Sequence, residues 1–373
     1  MRAIAGAMAA VLFLGPAATA QDGPTLVDEQ SVFPFHGFLV SGYGSAGYDA
    51  SFLDGATPNQ FSASLSPVLL FQIRDRFLFE SELEFEIEEG VTATSLEYAE
   101  VLYALSNNVT VGAGKFLLPF NVFSERLHPT WINKMTGPPA IYGGHHGTPG
   151  PADPLLPLLS DFGVQVRSAF DLGSWWYGTA VAYVTQGPQL MEEEPDTAAD
   201  GHAIPELAFG SSVEDNNEQK LVGARVGLGF APYFEVNLSG MTGAYDPDGR
   251  DFSALGVHLE VRHRGFELHG EYTRTATELE PEVPGEAAET ARRSGYFVQL
   301  ERRFGDVEPI IRWSQILAGK TEDATVTEPG HQIGLGLAFW LTPSVVLKGE
   351  YQVNREEIEI DNDRFALQWA FGF

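Results

Sequence analysis

Five glutamates occupy every second position between residues 80 and 88. In the stretch FLFESELEFEIEE, residues 77 to 89, they alternate with mostly apolar side chains. A period of two places all five carboxylates on one face of a β-strand. Neighbouring carboxylates repel one another unless basic groups or cations lie opposite. This face is therefore expected to meet an arginine cluster on a facing strand or to attract cations. The five are Glu80, Glu82, Glu84, Glu86 and Glu88.

Metal binding and hydrolysis are the other chemistries to consider. His128, His145 and His146 could offer imidazole ligands to zinc, copper or nickel. Adjacent histidines of an extended chain point to opposite faces, so we predict neither a metal site nor a cofactor. There is no GxSxG motif, and the stretch from Ser124 to His128 shows no oriented third partner. We therefore predict that the protein is not an enzyme.

Composition narrows the possible functions further. The chain has 373 residues with 51 acidic and 22 basic side chains, a net charge of −29 and no cysteine. Such a charge repels phosphate backbones and excludes nucleic-acid binding. The lack of cysteine excludes disulfides, thiolate zinc sites and cysteine nucleophiles.

The first 20 residues resemble a secretory signal peptide. Arg2 precedes an apolar run over residues 3 to 14, and Ala18-Thr19-Ala20 ends the segment with small residues. Gly15-Pro16 interrupts the run too early for a membrane-spanning helix. We expect cleavage before Gln21, export of the protein, and a short periplasmic segment over residues 21–35.

The elements that carry the glutamates are predicted to be strands of a membrane barrel. Alternating patterns occur in sixteen segments between residues 36 and 373, and short turns alternate with long connections at 118–160, 186–219, 277–291 and 317–330. A β-sandwich or propeller has no reason to place every long loop at one end. We predict an all-β, 16-strand, up-and-down antiparallel transmembrane barrel in a bacterial outer membrane, with short periplasmic turns and long external loops.

Aromatic residues support this orientation. The chain ends with alternating apolar residues and a terminal Phe373, as the final strand of an outer-membrane barrel does. Other aromatics beside the short turns are expected to form one interfacial girdle. They are Phe77, Phe79, Tyr103, Phe170, Trp175, Trp176, Phe230, Phe234, Phe266, Phe304 and Trp340.

One block of sequence resembles a known family. Tyr98-Ala99-Glu100, VTVGAGKFLLPF (residues 109–120) and NVFSERLHPTWINK (residues 121–134) resemble the superfamily of phosphate-selective porins O and P. The resemblance implies a 16-strand diffusion channel that is usually trimeric. The phosphate selectivity in the family name depends on basic lumen residues, and this sequence departs from that pattern.

Acidic residues outnumber basic ones on the inward faces of the predicted strands, so we expect the pore to prefer cations or neutral solutes. A less specific interpretation is that the carboxylates only keep a wide lumen wet. The acidic set is Glu80, Glu82, Glu84, Glu86, Glu88, Glu100, Glu235, Glu260, Glu267, Glu271, Glu301, Glu308 and Glu350. The basic set is Arg167, Arg225, Arg262, Arg303, Arg312, Lys348 and Arg364.

Residues 118–160 form the longest interruption and contain eight prolines. A loop of this length is usually functional, and this one could fold into the lumen as a constriction or cap the mouth from outside. Its candidate pore residues are Arg126, His128, Trp131 and Lys134.

The function predicted from the sequence is passive diffusion of small hydrophilic solutes through a cation-preferring or non-selective porin. One alternative is a structural or adhesive barrel whose acidic loops bind divalent cations and bridge lipopolysaccharide, and another is an outer-membrane hydrolase. Residues 186–219 carry nine acidic and no basic side chains, which suits calcium. Expected partners are outer-membrane lipid, lipopolysaccharide, small solutes or ions, and two further copies in a homotrimer.

Overall fold

The structure is a computed structural model. It describes residues 37–52, 59–88, 91–143, 151–157, 159–190, 204–210, 216–281, 288–322, 324–357 and 361–373. The expected signal peptide and periplasmic segment, together with His145 and His146, lie outside the described residues. The same holds for seven of the nine acidic residues of the 186–219 loop, so calcium binding there stays a prediction. No helix in the described ranges is long and apolar enough to cross a membrane.

The described residues form a closed antiparallel barrel of sixteen strands, which confirms the predicted fold. Gln189–Leu190 pairs with Leu207–Ala208, and Thr325–Thr327 pairs with the long-loop end of the thirteenth strand. The barrel strands are β1 (Gly37–Ser51), β2 (Asn59–Ile73), β3 (Phe77–Glu88), β4 (Val91–Ala104), β5 (Val109–Leu117), β6 (Ser160–Asp171), β7 (Trp176–Thr185), β8 (Leu221–Phe230), β9 (Phe234–Ala244), β10 (Asp251–His263), β11 (Phe266–Glu278), β12 (Thr290–Arg302), β13 (Val307–Lys320), β14 (Gly330–Thr342), β15 (Val345–Glu356) and β16 (Arg364–Gly372).

Strand β1 closes the barrel by pairing with β2 on one side and β16 on the other. The C-terminal residue takes part in the closure, because the amide of Gly42 donates to the carbonyl of Phe373 at 3.0 Å and the amide of Phe373 returns a bond at 2.9 Å. A closed sheet has no edge with unpaired backbone groups, which is the condition for strands to cross a lipid core.

The alternation read from the sequence separates an outer from an inner face. On β15, Leu347 and Tyr351 are exposed on the outside of the barrel, whereas Lys348 and Glu350 point inward and are 1% and 2% exposed. An apolar outer face is stable against lipid, and a polar inner face is stable only where it meets water or polar partners.

The aromatic girdle is present, with one exception. Exposed rings near the short turns include those of Phe77, Phe170, Trp175 and Phe304. Assigning Trp340 to the girdle was wrong. Its neighbours in β14 take the outward positions, so Trp340 faces the interior.

Candidate functional site

The chain between β5 and β6 folds back into the interior of the barrel. We call residues 118–159 the inserted segment, of which 144–150 and 158 lie outside the described residues. Its two ends are joined where the amide of Leu118 donates to the carbonyl of Leu159 at 3.0 Å. From there its side chains and backbone reach inward-facing residues of β6 and of the strands from β8 to β15.

Glu271 of β11 holds the first turn of the inserted segment. Its Oε1 accepts hydrogen bonds from the backbone amides of Val122 and Phe123 at 2.8 and 2.9 Å. Its Oε2 accepts from the hydroxyl of Tyr142 at 2.6 Å, and Nδ1 of His258 lies 3.0 Å from its Oε1. Burial, and then the Glu271 carboxylate, raise the pKa of the Tyr142 hydroxyl well above its usual value. The hydroxyl therefore stays protonated and acts as a donor.

Lys348 of β15 holds the middle of the inserted segment. Its ammonium donates to three backbone carbonyls, those of Thr130, Asn133 and Met135, at 2.6, 3.1 and 2.9 Å. The three donors of one ammonium are thereby used, and the side chain is buried. The lysine is thus part of the support of the segment.

Arg312 and Glu350 fix the next part of the segment. The guanidinium of Arg312 donates to the carbonyl of Gly137 at 2.9 Å and to Oδ1 of Asn133 at 3.2 Å. Glu350 accepts from the amide and the hydroxyl of Thr136, both at 2.7 Å. Backbone groups that would otherwise be unpaired away from water are satisfied here by the barrel wall.

A cluster of opposite charges surrounds the π-helix Phe123–Leu127 of the inserted segment. Glu125 forms ion pairs with Arg167 and with Arg225, the latter at 2.5 Å, and lies 3.8 Å from Arg126. Arg126 also reaches Glu235 of β9 at 3.1 Å. Burial raises the pKa of the Glu125 carboxyl, but the three guanidinium groups outweigh burial and hold the pKa well below its usual range.

Glycines on the inner wall make room for the inserted segment, a signal that the sequence analysis missed. A Cβ atom at Gly256 would overlap the amide side chain of Asn121, and one at Gly336 would overlap the sulfur of Met135. Asn121 adopts a left-handed backbone conformation, φ 52°, that asparagine tolerates better than most residues. Glycines at inward positions of otherwise polar alternating strands could have indicated this contact.

We expect Gly256→Val to loosen the inserted segment. The added side chain overlaps Asn121, and such overpacking costs about 1–3 kcal/mol. Single-channel recordings should show larger current fluctuations. The β-sheet content measured by circular dichroism should be unchanged. Gly349→Val, on the outer face near a flexible leucine side chain, is the matched control. Equal noise in both variants would contradict this role of Gly256.

An open space remains on the other side of the inserted segment. It measures about 170 Å³ and lies between the segment and the walls of β1, β2, β3 and β16. Its carboxylates are Asp49, Glu84 and Glu86, and Arg364 lines it as well. Arg364 is ion-paired with Asp49, so three carboxylates and one guanidinium border this space. His128 lines the segment side.

The other glutamates of the alternating series between residues 80 and 88 have different surroundings. Glu82 is 3% exposed and accepts a hydrogen bond from the hydroxyl of Tyr43 at 2.5 Å. Glu80 lies opposite Glu100, which accepts from Nε2 of Gln165 at 2.6 Å. Gln165 in turn accepts from Nε of Arg167 on β6 at 2.6 Å, whereas an arginine cluster on a facing strand stays a prediction. The side chain of Glu88 is outside the described residues.

The other predicted pore residues lie either in the inserted segment or near the short turns. Trp131 packs partly buried against an inner apolar cluster, and Lys134 pairs with Glu308 of β13 at 3.4 Å. Glu260 and Arg262 are ion-paired at 2.6 Å near the turn between β10 and β11. Arg303 lies in the turn after β12, where it is exposed and bonds to the turn backbone, so it is not part of the wall.

Comparison with known proteins rests on structure. No family model matches the chain, and no curated protein matches it in sequence. Three solved structures resemble it: the outer-membrane channel DcaP of Acinetobacter baumannii (TM-score 0.60, 11% identity, covering 91% of this chain and 100% of that one); OmpF of Salmonella typhi (0.58, 13%, 90% and 97%); and an anion-selective porin of Comamonas acidovorans (0.55, 11%, 90% and 99%). The chain has the porin fold.

Within this porin fold, the stretch from Ser124 to His128, which was considered for hydrolysis, helps to hold the inserted segment in place. Ser124 is fully buried, and the carboxylate of Glu125 is occupied by arginines. In the described residues, Ser124 and Glu125 therefore serve to hold the inserted segment against the wall.

Proposed function

We propose that this protein is an outer-membrane porin for passive diffusion of small hydrophilic solutes and that its constriction favours cations. The observation that carries the proposal is the unequal use of charge inside the barrel. Basic side chains such as Arg225, Arg312 and Lys348 hold the inserted segment, whereas three carboxylates (Asp49, Glu84 and Glu86) and one guanidinium (Arg364) line the space beside it.

Burial decides which charges a passing ion meets. Arg225, Arg312 and Lys348 are 2%, 1% and 1% exposed, and the inserted segment covers them. Glu84 and Glu86 are half-buried and line the open space. Fixed charges that border a narrow aqueous path between low-dielectric walls concentrate the field on that path. Cations should therefore be enriched there and anions depleted.

The finer family assignment is part of the proposal. The block that resembles the phosphate-selective porins O and P covers three residues within β4, all of β5 and the first part of the inserted segment. We infer a distant relative of that family in which the basic residues serve as anchors. On this view phosphate is not the favoured solute.

The remaining features of the proposal concern location and assembly. Residues 1–20 act as a cleaved signal peptide and residues 21–35 as a periplasmic segment. The barrel lies in lipid that includes lipopolysaccharide and forms a homotrimer. The apolar outer face supports membrane insertion, and one resembling structure, OmpT of Vibrio cholerae, is described as a trimer.

Replacing Glu84 and Glu86 together by glutamine should lower the ratio of cation to anion permeability without abolishing conductance. The change removes two negative charges from the path and preserves side-chain size. The measurement is the reversal potential of the purified protein in a planar bilayer across a potassium chloride gradient. The effect should be larger at low salt, because the Debye length shortens as ionic strength rises.

Glu82→Gln is the matched control. It lies on the same face of β3 but is buried against Tyr43, so its removal should change the ratio less. Anion selectivity of the unmodified protein would overturn the proposed preference. Absence of any steady conductance would overturn the channel itself and favour an adhesive barrel.

A further inference from the structure

A second cluster of charged residues lies on the inner wall near the short turns, away from the space beside the inserted segment. Glu267 of β11 and Glu301 of β12 are direct partners across the two strands. His269 is two residues further along β11 and shares their inward face. Two like charges directly opposite each other on neighbouring strands destabilise a sheet unless something compensates them.

The spacing of the three side chains fits shared ligation better than hydrogen bonding. Nε2 of His269 is 3.9 Å from Oε2 of Glu267 and 3.7 Å from Oε1 of Glu301. These separations are too long for hydrogen bonds. One nitrogen and two carboxylate oxygens, all within 4.8 Å of one another, can each approach one ion at about 2.0–2.2 Å after small rotations.

Burial gives an independent indication of a ligand. Glu301 is 1% exposed, and its Oε1 has no hydrogen-bond partner among the described residues. Its other oxygen accepts from Nε2 of Gln299 at 2.6 Å, which orients the carboxylate. His269 is 6% exposed. A buried, oriented carboxylate oxygen with no partner is costly, and a cation at this point would satisfy it.

The charges around the cluster also favour binding of a divalent cation, because they are not balanced. Arg262 binds Oε1 of Glu267 at 2.5 Å and Oε1 of Glu260 at 2.6 Å. It thereby leaves Oε2 of Glu267 on the side of His269. Oε2 of Glu260 lies 3.7 Å from Nδ1 of the same histidine. Three carboxylates and one guanidinium therefore surround the histidine, an excess of negative charge.

We propose that Glu267, His269 and Glu301 bind a divalent transition-metal ion such as Zn²⁺ on the inner wall of the barrel. One imidazole and two carboxylates are a ligand set that zinc accepts. Water from the lumen completes the coordination. Glu260 and Gln299 act as supports that orient the histidine and one carboxylate.

The test uses the full-length mature protein, folded in detergent and stripped of metal by a chelator. Cobalt(II) should give visible absorption bands of nitrogen and oxygen ligation, and calorimetry with Zn²⁺ should show one site per chain. His269→Gln and Glu301→Gln should each weaken zinc binding at least about tenfold. Glu86→Gln, which removes one lumen carboxylate elsewhere, is the matched control and should leave affinity unchanged.

Circular dichroism confirms that each variant retains the barrel. No zinc binding by the unmodified protein would overturn the proposal and indicate that a protonated His269 neutralises the carboxylates. Unchanged affinity in both ligand variants would equally overturn it. So would an equal loss in Glu86→Gln, because binding would then reflect only the negative lumen. None of these outcomes depends on whether the barrel conducts ions.

Discussion

Replacing residues 119–158 by a short glycine-containing turn should raise single-channel conductance several-fold. The inserted segment lies inside the barrel beside the open space, and we propose that it constricts the path, so its removal should widen that path. The barrel should still close, because the segment leaves β5 and returns to β6 where Leu117 and Ser160 are already paired. Charged side chains that the segment covers, such as those of Arg225 and Lys348, would then be hydrated by water in the lumen.

Conductance in a planar bilayer measures the effect, and the reversal potential should shift toward weaker cation preference as basic residues become exposed. Shortening the connection between β11 and β12 is the control, since it leaves the inserted segment in place. Unchanged conductance in a variant that keeps its β-sheet signal would show that the segment does not constrict the pore.

Glu125→Gln should destabilise the protein by about 3–5 kcal/mol, the usual cost of breaking a buried ion pair. The neutral amide leaves Arg167 and Arg225 close together with little compensating charge. Urea unfolding from lipid vesicles, followed by tryptophan fluorescence, measures the change. Asp248→Asn is the matched control, because that side chain is 81% exposed on a loop and pairs weakly.

The pH dependence of stability offers a second measurement of the same cluster. Since the folded protein holds the pKa of Glu125 below its usual range, its contribution is complete above about pH 4.3. It declines as the pH falls below that value and is lost only below the folded pKa. The Glu125→Gln variant should therefore lose less stability than the unmodified protein between about pH 4 and pH 2. Parallel curves would contradict the assignment.

Both results would reflect one feature, the use of charged wall residues as supports for a segment inside the barrel. A polypeptide that enters a lumen brings backbone donors and acceptors that need partners. Long basic and acidic side chains of the wall supply them, as Lys348 does for three carbonyls and Glu271 for two amides. The net charge of a wall is therefore a poor guide to the charge that a solute meets.

The inward-facing charged residues of the wall illustrate this. The sequence correctly placed Glu271, Arg312 and Lys348 on the inner face, because side-chain direction in a strand follows from a period of two. It could not show that all three are covered, because their partners in the inserted segment lie more than one hundred residues away in the chain. Trp340 was misplaced for a related reason: nearness to a short turn does not determine the face.

What the sequence alone determined is the barrel, its strand number, its two faces and the alternation of short turns with long connections. These follow from local periodicity and from the need of every strand to pair in lipid. Only the tertiary structure decided where the inserted segment lies, which charges anchor it, and that Glu84 and Glu86 border the open space beside it. It also brought Glu267, His269 and Glu301 together. These contacts depend on sheet closure and strand register, which join residues distant in sequence and leave no periodic pattern in the chain.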